Sequence, residues 1–189
     1  MADGSQLLFS AYYLPGGEDN PALGETGREL GPAEEEALRF ASSCCGAERI
    51  ALRLITRAEQ CSLGLTVKLE RRGFNPAIVN AVISRLFEQN LLDDTRYAEL
   101  WLRSRLRSRR AESPRRLSAS LAKRGIDRKS LGKAMENALD HEAEYDLLLR
   151  YLKKEKLPGG KQGISPRSYL KYEGFSTAVI ERYFDEQMG

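Results

Sequence analysis

A six-residue pattern that recurs three times constrains the fold of this 189-residue chain more than any other feature. Each copy starts with leucine, has glycine at its fifth position and ends with an apolar residue; the three glycines lie 52 and 49 residues apart. This pattern predicts a helix that is closed by glycine in the left-handed conformation, followed by an apolar residue that packs back on the helix. The copies are residues 69–74, 121–126 and 170–175.

Apolar residues continue after each copy at matched offsets and predict a second amphipathic helix. They are Ile78, Val79, Val82 and Ile83; Leu131, Ala134 and Met135; Val179, Ile180, Tyr183 and Phe184. A repeat of about 50 residues made of helix pairs or triplets cannot bury its apolar face alone, so neighbouring copies must stack. We therefore expect an all-α protein whose tandem three-helix repeats form an elongated, curved, solenoid-like rod.

The helix signals divide the chain into four parts. Residues 1–31 form a leader, expected to be irregular or strand-like and partly mobile, because an apolar run at 7–14 is followed by glycines and a proline. Pro32 and the acids after it start a helix in the first repeat, residues 32–92. Residues 93–140 hold an arginine-rich helix and the second repeat, and residues 141–189 hold the third.

Several boundaries of these helices can also be predicted. Asn75, Ser113 and Ser165 each precede a proline, an arrangement that supplies a capping side chain and a preset first helical turn. We expect the longest helix at residues 92–110, capped by Asp93 or Asp94. A glycine-rich connection at residues 157–163 should precede the third repeat.

Composition and charge narrow the class of protein. Hydrophobic residues make up 41% and charged residues 30% of the chain, which is typical of a globular protein rather than a disordered one. No apolar run is long enough to span a membrane and no secretory signal is visible, so we expect a cytoplasmic protein without membrane contact. Residues 1–48 carry a net charge of −7 and residues 49–189 carry +10, which makes the second part a candidate polyanion binder.

No group of residues predicts catalysis, a metal or a cofactor. Cys44, Cys45 and Cys61 lack zinc-ligand spacing and are interpreted as small apolar side chains, and His141 is expected on an exposed helix face. The adjacent acids 93 and 94 have a sufficient role at a helix start. Residues 159–161 lack the upstream glycine and following hydroxyl of a phosphate loop.

Basic residues concentrate between positions 101 and 124, where Glu112 is the one acid. Arg103, Arg107 and Arg110 should follow one line along the long helix, with Arg105 and Arg109 in a second line. Guanidinium groups match phosphate or carboxylate geometry, so we predict binding to nucleic acid or to an acidic protein groove. Ion pairs with acids elsewhere, such as those of the leader, are the alternative. The candidate residues are Arg103, Arg105, Arg107, Arg109, Arg110, Arg115, Arg116, Lys123 and Arg124.

Residues 65–86 have the outline of a helix-turn-helix, but reading of DNA bases is the weaker hypothesis. The second helix should expose side chains that offer little charge for a phosphate backbone. These are Asn80, Ser84, Arg85, Glu88 and Gln89.

The order and spacing of several stretches resemble the RecX family of bacterial recombination regulators. These stretches are residues 91–98, 101–105, 113–117 and 121–126, together with the copies at 69–74 and 170–175. Asn90 stands where the family pattern leads us to expect glycine. The resemblance covers about residues 50–187.

The resemblance implies a non-enzymatic modulator that binds the RecA recombinase filament, typically in its helical groove. Such a protein restrains ATP hydrolysis, strand exchange and coprotease activity, and uses no small-molecule substrate. Two other hypotheses stay open on the residues alone: a protein that binds single- or double-stranded DNA independently of RecA, and a scaffold that binds neither.

Overall fold

A computed structural model describes residues 6–24, 27, 29–155 and 165–188. Within those residues the chain forms nine α-helices and no strand, which confirms the all-α prediction. The helices are α1 (Pro32–Arg57), α2 (Ser62–Glu70), α3 (Pro76–Glu88), α4 (Asp94–Arg107), α5 (Pro114–Ala122), α6 (Arg128–Ala138), α7 (His141–Lys154), α8 (Pro166–Tyr172) and α9 (Thr177–Met188). The apolar run at 7–14 contains a 3-10 turn at Ala11–Tyr13 instead of a strand.

Each repeat contains three helices, and the second of them ends in the predicted glycine. Gly73, Gly125 and Gly174 have φ angles of 90°, 81° and 91°, which lie in the left-handed region. The apolar residue after each glycine donates its N–H to the carbonyl of the leucine that begins the copy, at 3.4, 3.3 and 3.2 Å. These bonds satisfy carbonyl groups at the helix ends and turn the chain into the third helix.

The predicted caps are present at three helix starts. The side chains of Asn75, Ser113 and Ser165 each accept a hydrogen bond from the N–H three residues further on. The proline after each cap occupies the first helical position, where no N–H is needed. The α2–α3, α4–α5 and α7–α8 connections therefore each end in a locally encoded helix start.

Asn90 takes the left-handed backbone conformation that favours the glycine expected at this position. Its φ is +56°, the one positive φ of a non-glycine residue among those described. The N–H of Leu91 donates to the carbonyl of Leu86 at 2.9 Å, so the end of α3 resembles the glycine-closed ends of α2, α5 and α8. Asparagine tolerates the left-handed conformation better than most residues with a side chain.

The chain divides into two compact units, residues 1–93 and 94–189. Unit 1 holds the leader and α1–α3, around a core that includes Cys44, Leu65, Val82 and Leu86. Burial raises the pKa of the Cys44 thiol to about 11, so this cysteine is an apolar core residue, as the sequence predicted. Unit 2 holds α4–α9, and Tyr151 is the largest of its fully buried side chains.

Two expectations about the helices are wrong. The longest helix is α1 with 26 residues, whereas α4 has 14 and ends at Arg107. At that end, the N–H and the Oγ of Ser108 both donate to the carbonyl of Arg105, at 3.0 and 2.7 Å. This tight turn stops the helix before Arg109 and Arg110.

The connection expected at residues 157–163 lies outside the described residues. Among the described residues, none of the helices combines the length and the apolar character that a membrane span requires.

Candidate partner-binding surface

The nine predicted basic residues lie on α4, on α5 and in the segments that follow these two helices. The end of α4 at Arg107 shortens the two expected arginine lines. Arg103 and Arg107 lie four residues apart on α4, as the predicted line requires, whereas Arg109 and Arg110 lie beyond the end of the helix. Helical spacing therefore positions only the first members of each line.

Trp101 on α4 is held between two arginines of the candidate set. The guanidinium groups of Arg105 and Arg124 each lie 4.9 Å from the centre of its ring. Arg105 also lies 3.6 Å from the carboxylate of Glu112, and Arg124 donates to the carbonyl of Ser120 at 2.6 Å. Cation–π contact thus orders both guanidinium groups and connects α4 with the end of α5.

Four other candidate residues are exposed and carry uncompensated charge. Arg107, Arg109, Arg110 and Lys123 are exposed, and among the described residues their side chains form no ion pair. Arg103 is 54% exposed and lies 3.8 Å from Glu99, a distance too long for a hydrogen bond. These five side chains are therefore available to an anionic partner.

Arg150 on α7 fixes the backbone that carries the exposed arginines, and sequence reasoning missed it. Its Nη1 donates to the carbonyl oxygens of Leu106 at 2.8 Å and of Ser108 at 3.2 Å. Carbonyl groups at a helix C-terminus have no intrahelical partner, so this guanidinium satisfies that of Leu106 and, just beyond the helix, that of Ser108. The segment between α4 and α5 is thereby tied to the third repeat.

Arg115 and Arg116 are engaged in contacts within unit 2. Arg115 lies 2.9 Å from the carboxylate of Glu173 and stacks over the ring of Tyr172. Arg116 lies 3.2 Å from the carboxylate of Glu155. The hydrogen bonds to these carboxylates raise the pKa of both guanidinium groups, which hold the start of α5 against the third repeat.

Glu173, the acid that pairs with Arg115, is buried. Its side chain is 3% exposed and accepts hydrogen bonds from the hydroxyl of Ser113 and the guanidinium of Arg115. Burial opposes ionisation of Glu173, but these two hydrogen bonds outweigh it and lower the pKa of the carboxyl below its usual value. Glu173 is therefore ionised at neutral pH.

The alternative that acids elsewhere neutralise the arginines holds for part of the set. Carboxylates lie within 3.6 Å of Arg105, Arg115 and Arg116, and that of Glu99 lies 3.8 Å from Arg103, which stays exposed. All four of those carboxylates belong to unit 2 rather than to the leader. The other members of the set leave net positive charge on α4 and in the segments that follow α4 and α5. These members are Arg107, Arg109, Arg110, Lys123 and Arg124.

Arg85 departs from the prediction that it is exposed on the second helix of a helix-turn-helix. Its side chain is 17% exposed and its Nε lies 2.9 Å from the carboxylate of Glu48. Its guanidinium lies 4.1 Å from the ring centre of Tyr12 and 5.2 Å from that of Tyr13. Tyr12 and Tyr13 of the leader lie over Arg85 and remove this positive charge from the surface on which base reading depends.

The other residues considered for chemistry take structural positions. His141 is exposed, as predicted, and Asp94 is the first residue of α4. No group of three or more histidine, cysteine or acidic side chains that could hold a metal was found in the described ranges. The segment at 159–161 lies outside those ranges.

A second group of arginines in unit 1 was not predicted. Arg49, Arg53 and Arg57 on α1 and Arg72 after α2 are all exposed. The spacing of four residues between the arginines on α1 was a signal for this group, and these arginines also belong to the part of the chain that carries a net charge of +10.

Comparison with known proteins identifies the three-helix repeats. A family model described as the first three-helix domain of RecX matches residues 47–86, and one described as the second three-helix domain matches residues 93–135. A protein named regulatory protein RecX from Treponema pallidum (strain Nichols) is 34% identical over 156 residues, which cover 80% of this chain and 92% of that protein. The protein of the same name from Halorhodospira halophila (strain DSM 244 / SL1) is 30% identical, with coverages of 69% and 81%.

Solved structures show the same fold. A crystal structure of regulatory protein RecX superposes with a TM-score of 0.64 at 20% identity, covering 86% of this chain and 82% of that one. RecX from Lactobacillus salivarius gives a TM-score of 0.58 at 19% identity, with coverages of 77% and 97%. This chain is thus an all-α protein with tandem three-helix domains. On the identity and coverage of its relatives, this chain belongs to the RecX family, whose members are named regulatory proteins.

Proposed function

We propose that this protein binds the RecA–DNA filament and inhibits its ATPase, strand-exchange and coprotease activities. Membership of the RecX family supports the choice of partner. The observation that carries the choice of surface is a group of exposed cations, on α4 or directly after α4 and α5, that form no ion pair among the described residues: Arg107, Arg109, Arg110 and Lys123. The protein acts by binding rather than by catalysis, and we expect a cytoplasmic location without a cofactor or small-molecule substrate.

The nine candidate residues are expected to contribute differently to binding. Arg103, Arg107, Arg109, Arg110 and Lys123 are exposed and reach the carboxylates or phosphates of the filament. Arg105 and Arg124 are ordered on Trp101, so that less side-chain entropy is lost when they bind. Arg115 and Arg116 contribute less, because carboxylates of the third repeat already pair with them.

Co-sedimentation with RecA filaments tests the proposal directly. Filaments are assembled on single-stranded DNA with a slowly hydrolysed ATP analogue and pelleted with increasing protein. Replacing Arg103, Arg107 and Arg110 together by alanine is expected to weaken binding at least tenfold, since each lost charge contact removes favourable interaction with the filament. Helicity should be unchanged, because none of the three is buried.

A matched variant controls for net charge. Arg128, Lys129 and Lys133 are exposed on α6, and their replacement by alanine removes the same three charges from unit 2. This variant should bind filaments nearly as well as the wild type. Equal affinities of the wild type and the α4 variant would remove the surface assignment, and absence of any binding would remove RecA as the partner.

Binding to DNA without RecA is the second candidate function, favoured by the same exposed arginines. If about six basic side chains contact duplex phosphates, the logarithm of affinity should fall with the logarithm of salt concentration with a slope of about −5. A measurable slope with naked duplex DNA and no preference for the filament would favour this candidate over the first.

A further inference from the structure

The second half of α1, in unit 1, carries a row of exposed arginines. Arg49, Arg53 and Arg57 follow each other at intervals of four residues, so their Cα atoms lie about 6 Å apart along one face of the helix. Arg72, in the turn after α2, borders the same face. These four arginines and the recesses between them form the α1 groove.

Two adjoining recesses form the α1 groove. Arg53, Arg57 and Arg72 surround a recess of about 210 Å³ whose apolar part is Ile50 and Leu54. The adjoining recess, of about 600 Å³, is lined by Gly46, Arg49, Ile50, Leu52, Arg53 and Phe74. Ile50 and Arg53 line both recesses, so a basic pocket and a larger, more apolar pocket are continuous.

The arginines of the α1 groove have no acidic partner in the part of the chain that the structure describes. The Nη1 of Arg72 donates to the carbonyl of Lys68 at 2.6 Å, and the Nε of Arg53 lies 3.4 Å from the carbonyl of Arg49. Glu48 is next to Arg49 in sequence, but its carboxylate pairs with Arg85 instead. Three like charges around one recess repel each other, and an anion placed there relieves that repulsion.

We propose that the α1 groove binds single-stranded nucleic acid. A backbone phosphate occupies the recess of Arg53, Arg57 and Arg72, and the attached base lies in the adjoining recess beside Phe74. Guanidinium forks match the phosphate group, and an apolar pocket next to a phosphate site suits an unstacked base. A duplex keeps its bases stacked and offers none to this recess, so single strands are preferred.

An acidic peptide is the other polyanion that could meet these arginines. Nucleic acid is favoured because it carries one charge on every nucleotide, which suits a row of arginines at a regular spacing, and a flat base beside each charge. The inference does not depend on the proposed function, because the groove lies within unit 1 and its ligand needs no RecA.

Fluorescence anisotropy of labelled dT12 with the full chain tests the inference. The variant Arg53→Ala/Arg57→Ala/Arg72→Ala should bind at least tenfold more weakly than the wild type. Its slope of log affinity against log salt should be shallower by about 2, since three single-strand phosphate contacts are lost. The α6 variant Arg128→Ala/Lys129→Ala/Lys133→Ala removes the same charge and should change affinity less than threefold.

Two further probes separate the phosphate from the base and from a general anion. A dodecamer of abasic sites keeps the phosphates and should bind the wild type at least fivefold more weakly than dT12 does. A labelled glutamate dodecamer should bind more weakly still. Equal losses in the α1 and α6 variants, equal binding of dT12 and its duplex, or binding of the glutamate peptide as tight as that of dT12 would each overturn the inference. Circular dichroism confirms that the variants are folded.

Discussion

Arg115 and Glu173 join the second and third repeats through an ion pair of 2.9 Å between side chains that are 58 residues apart in sequence. The backbone strengthens this connection, because the N–H of Arg115 also donates to the carbonyl of Glu173 at 3.0 Å. Ser113 caps α5 and donates its hydroxyl to the same carboxylate. One buried acid therefore holds the start of α5, and Arg115 acts first as a structural residue.

The ion pair of Glu173 makes stability depend on pH. The pKa of this carboxyl is lowered in the folded protein, so its ionised form contributes stability that is fully present above the pKa of an unfolded glutamate, about 4.3. The contribution is lost as the pH falls through the lowered pKa of the folded state. We expect Glu173→Gln to reduce the free energy of unfolding by about 2 kcal/mol at pH 7.

Urea unfolding of wild type and Glu173→Gln between pH 7 and pH 3 measures this effect. The difference between the two should be constant above about pH 5 and should shrink below it, as the wild-type carboxyl becomes protonated. Glu181→Gln, at a half-exposed ion pair with Arg167, serves as the control and should change little. A difference that grows on acidification would contradict the role given to Glu173.

Gly174 and Gly73 provide a matched pair of glycine substitutions. Both have φ near +90°, so alanine at either position is strained in the left-handed conformation by roughly 1–2 kcal/mol. A Cβ at Gly174 would also lie 3.1 Å from the backbone N of Arg115, whereas at Gly73 it would meet nothing within 4 Å. Gly174→Ala should therefore destabilise the protein by more than Gly73→Ala in urea unfolding. The reverse order would show that the turn after α8 does not lie against the backbone of Arg115.

Arg85 holds the leader on the first repeat. Arg85→Ala leaves the carboxylate of Glu48, which is 12% exposed, without its partner and removes the cation between Tyr12 and Tyr13. We expect a loss of about 3 kcal/mol in the free energy of unfolding, and faster proteolysis of the leader. The double variant Arg85→Met/Glu48→Gln should recover part of the loss, because no unpaired charge then stays buried. A double variant less stable than Arg85→Ala would contradict this explanation.

Trp101 reports on the arginines that stack against it, because it is the one tryptophan of the chain. Arg124→Met keeps an aliphatic side chain but removes the charge, and should cost roughly 0.5–1 kcal/mol together with a change in Trp101 fluorescence. A double-mutant cycle with Trp101→Leu measures the coupling between the two side chains. A coupling energy near zero would show that the contact at 4.9 Å does not stabilise the fold.

The parts of the fold that could be predicted from sequence are encoded locally. A glycine five residues into each copy and a polar residue before Pro76, Pro114 or Pro166 suffice to place the helix ends, because caps and left-handed turns depend on neighbouring residues only. Asn90 could be placed in the same way, since its side chain tolerates a positive φ.

The features that sequence reasoning missed depend on contacts between distant residues. The backbone at the end of α4 is held by Arg150, whose guanidinium reaches the carbonyl of Leu106 from 44 positions away. The burial of Arg85 depends on Tyr12, and the pairing of Arg115 depends on a carboxylate of the third repeat. The charge pattern located the basic segment but could not show which arginines are engaged within the protein.

Titration of RecA ATP hydrolysis on single-stranded DNA tests the central claim most directly. The wild type should reduce turnover, with an effect already at fewer than one molecule per RecA, because one bound molecule can affect several filament subunits. Arg103→Ala/Arg107→Ala/Arg110→Ala should need at least tenfold more protein for the same inhibition, and Arg128→Ala/Lys129→Ala/Lys133→Ala should match the wild type. Unchanged turnover with intact filaments at saturating wild-type protein would contradict the proposal that this chain regulates RecA.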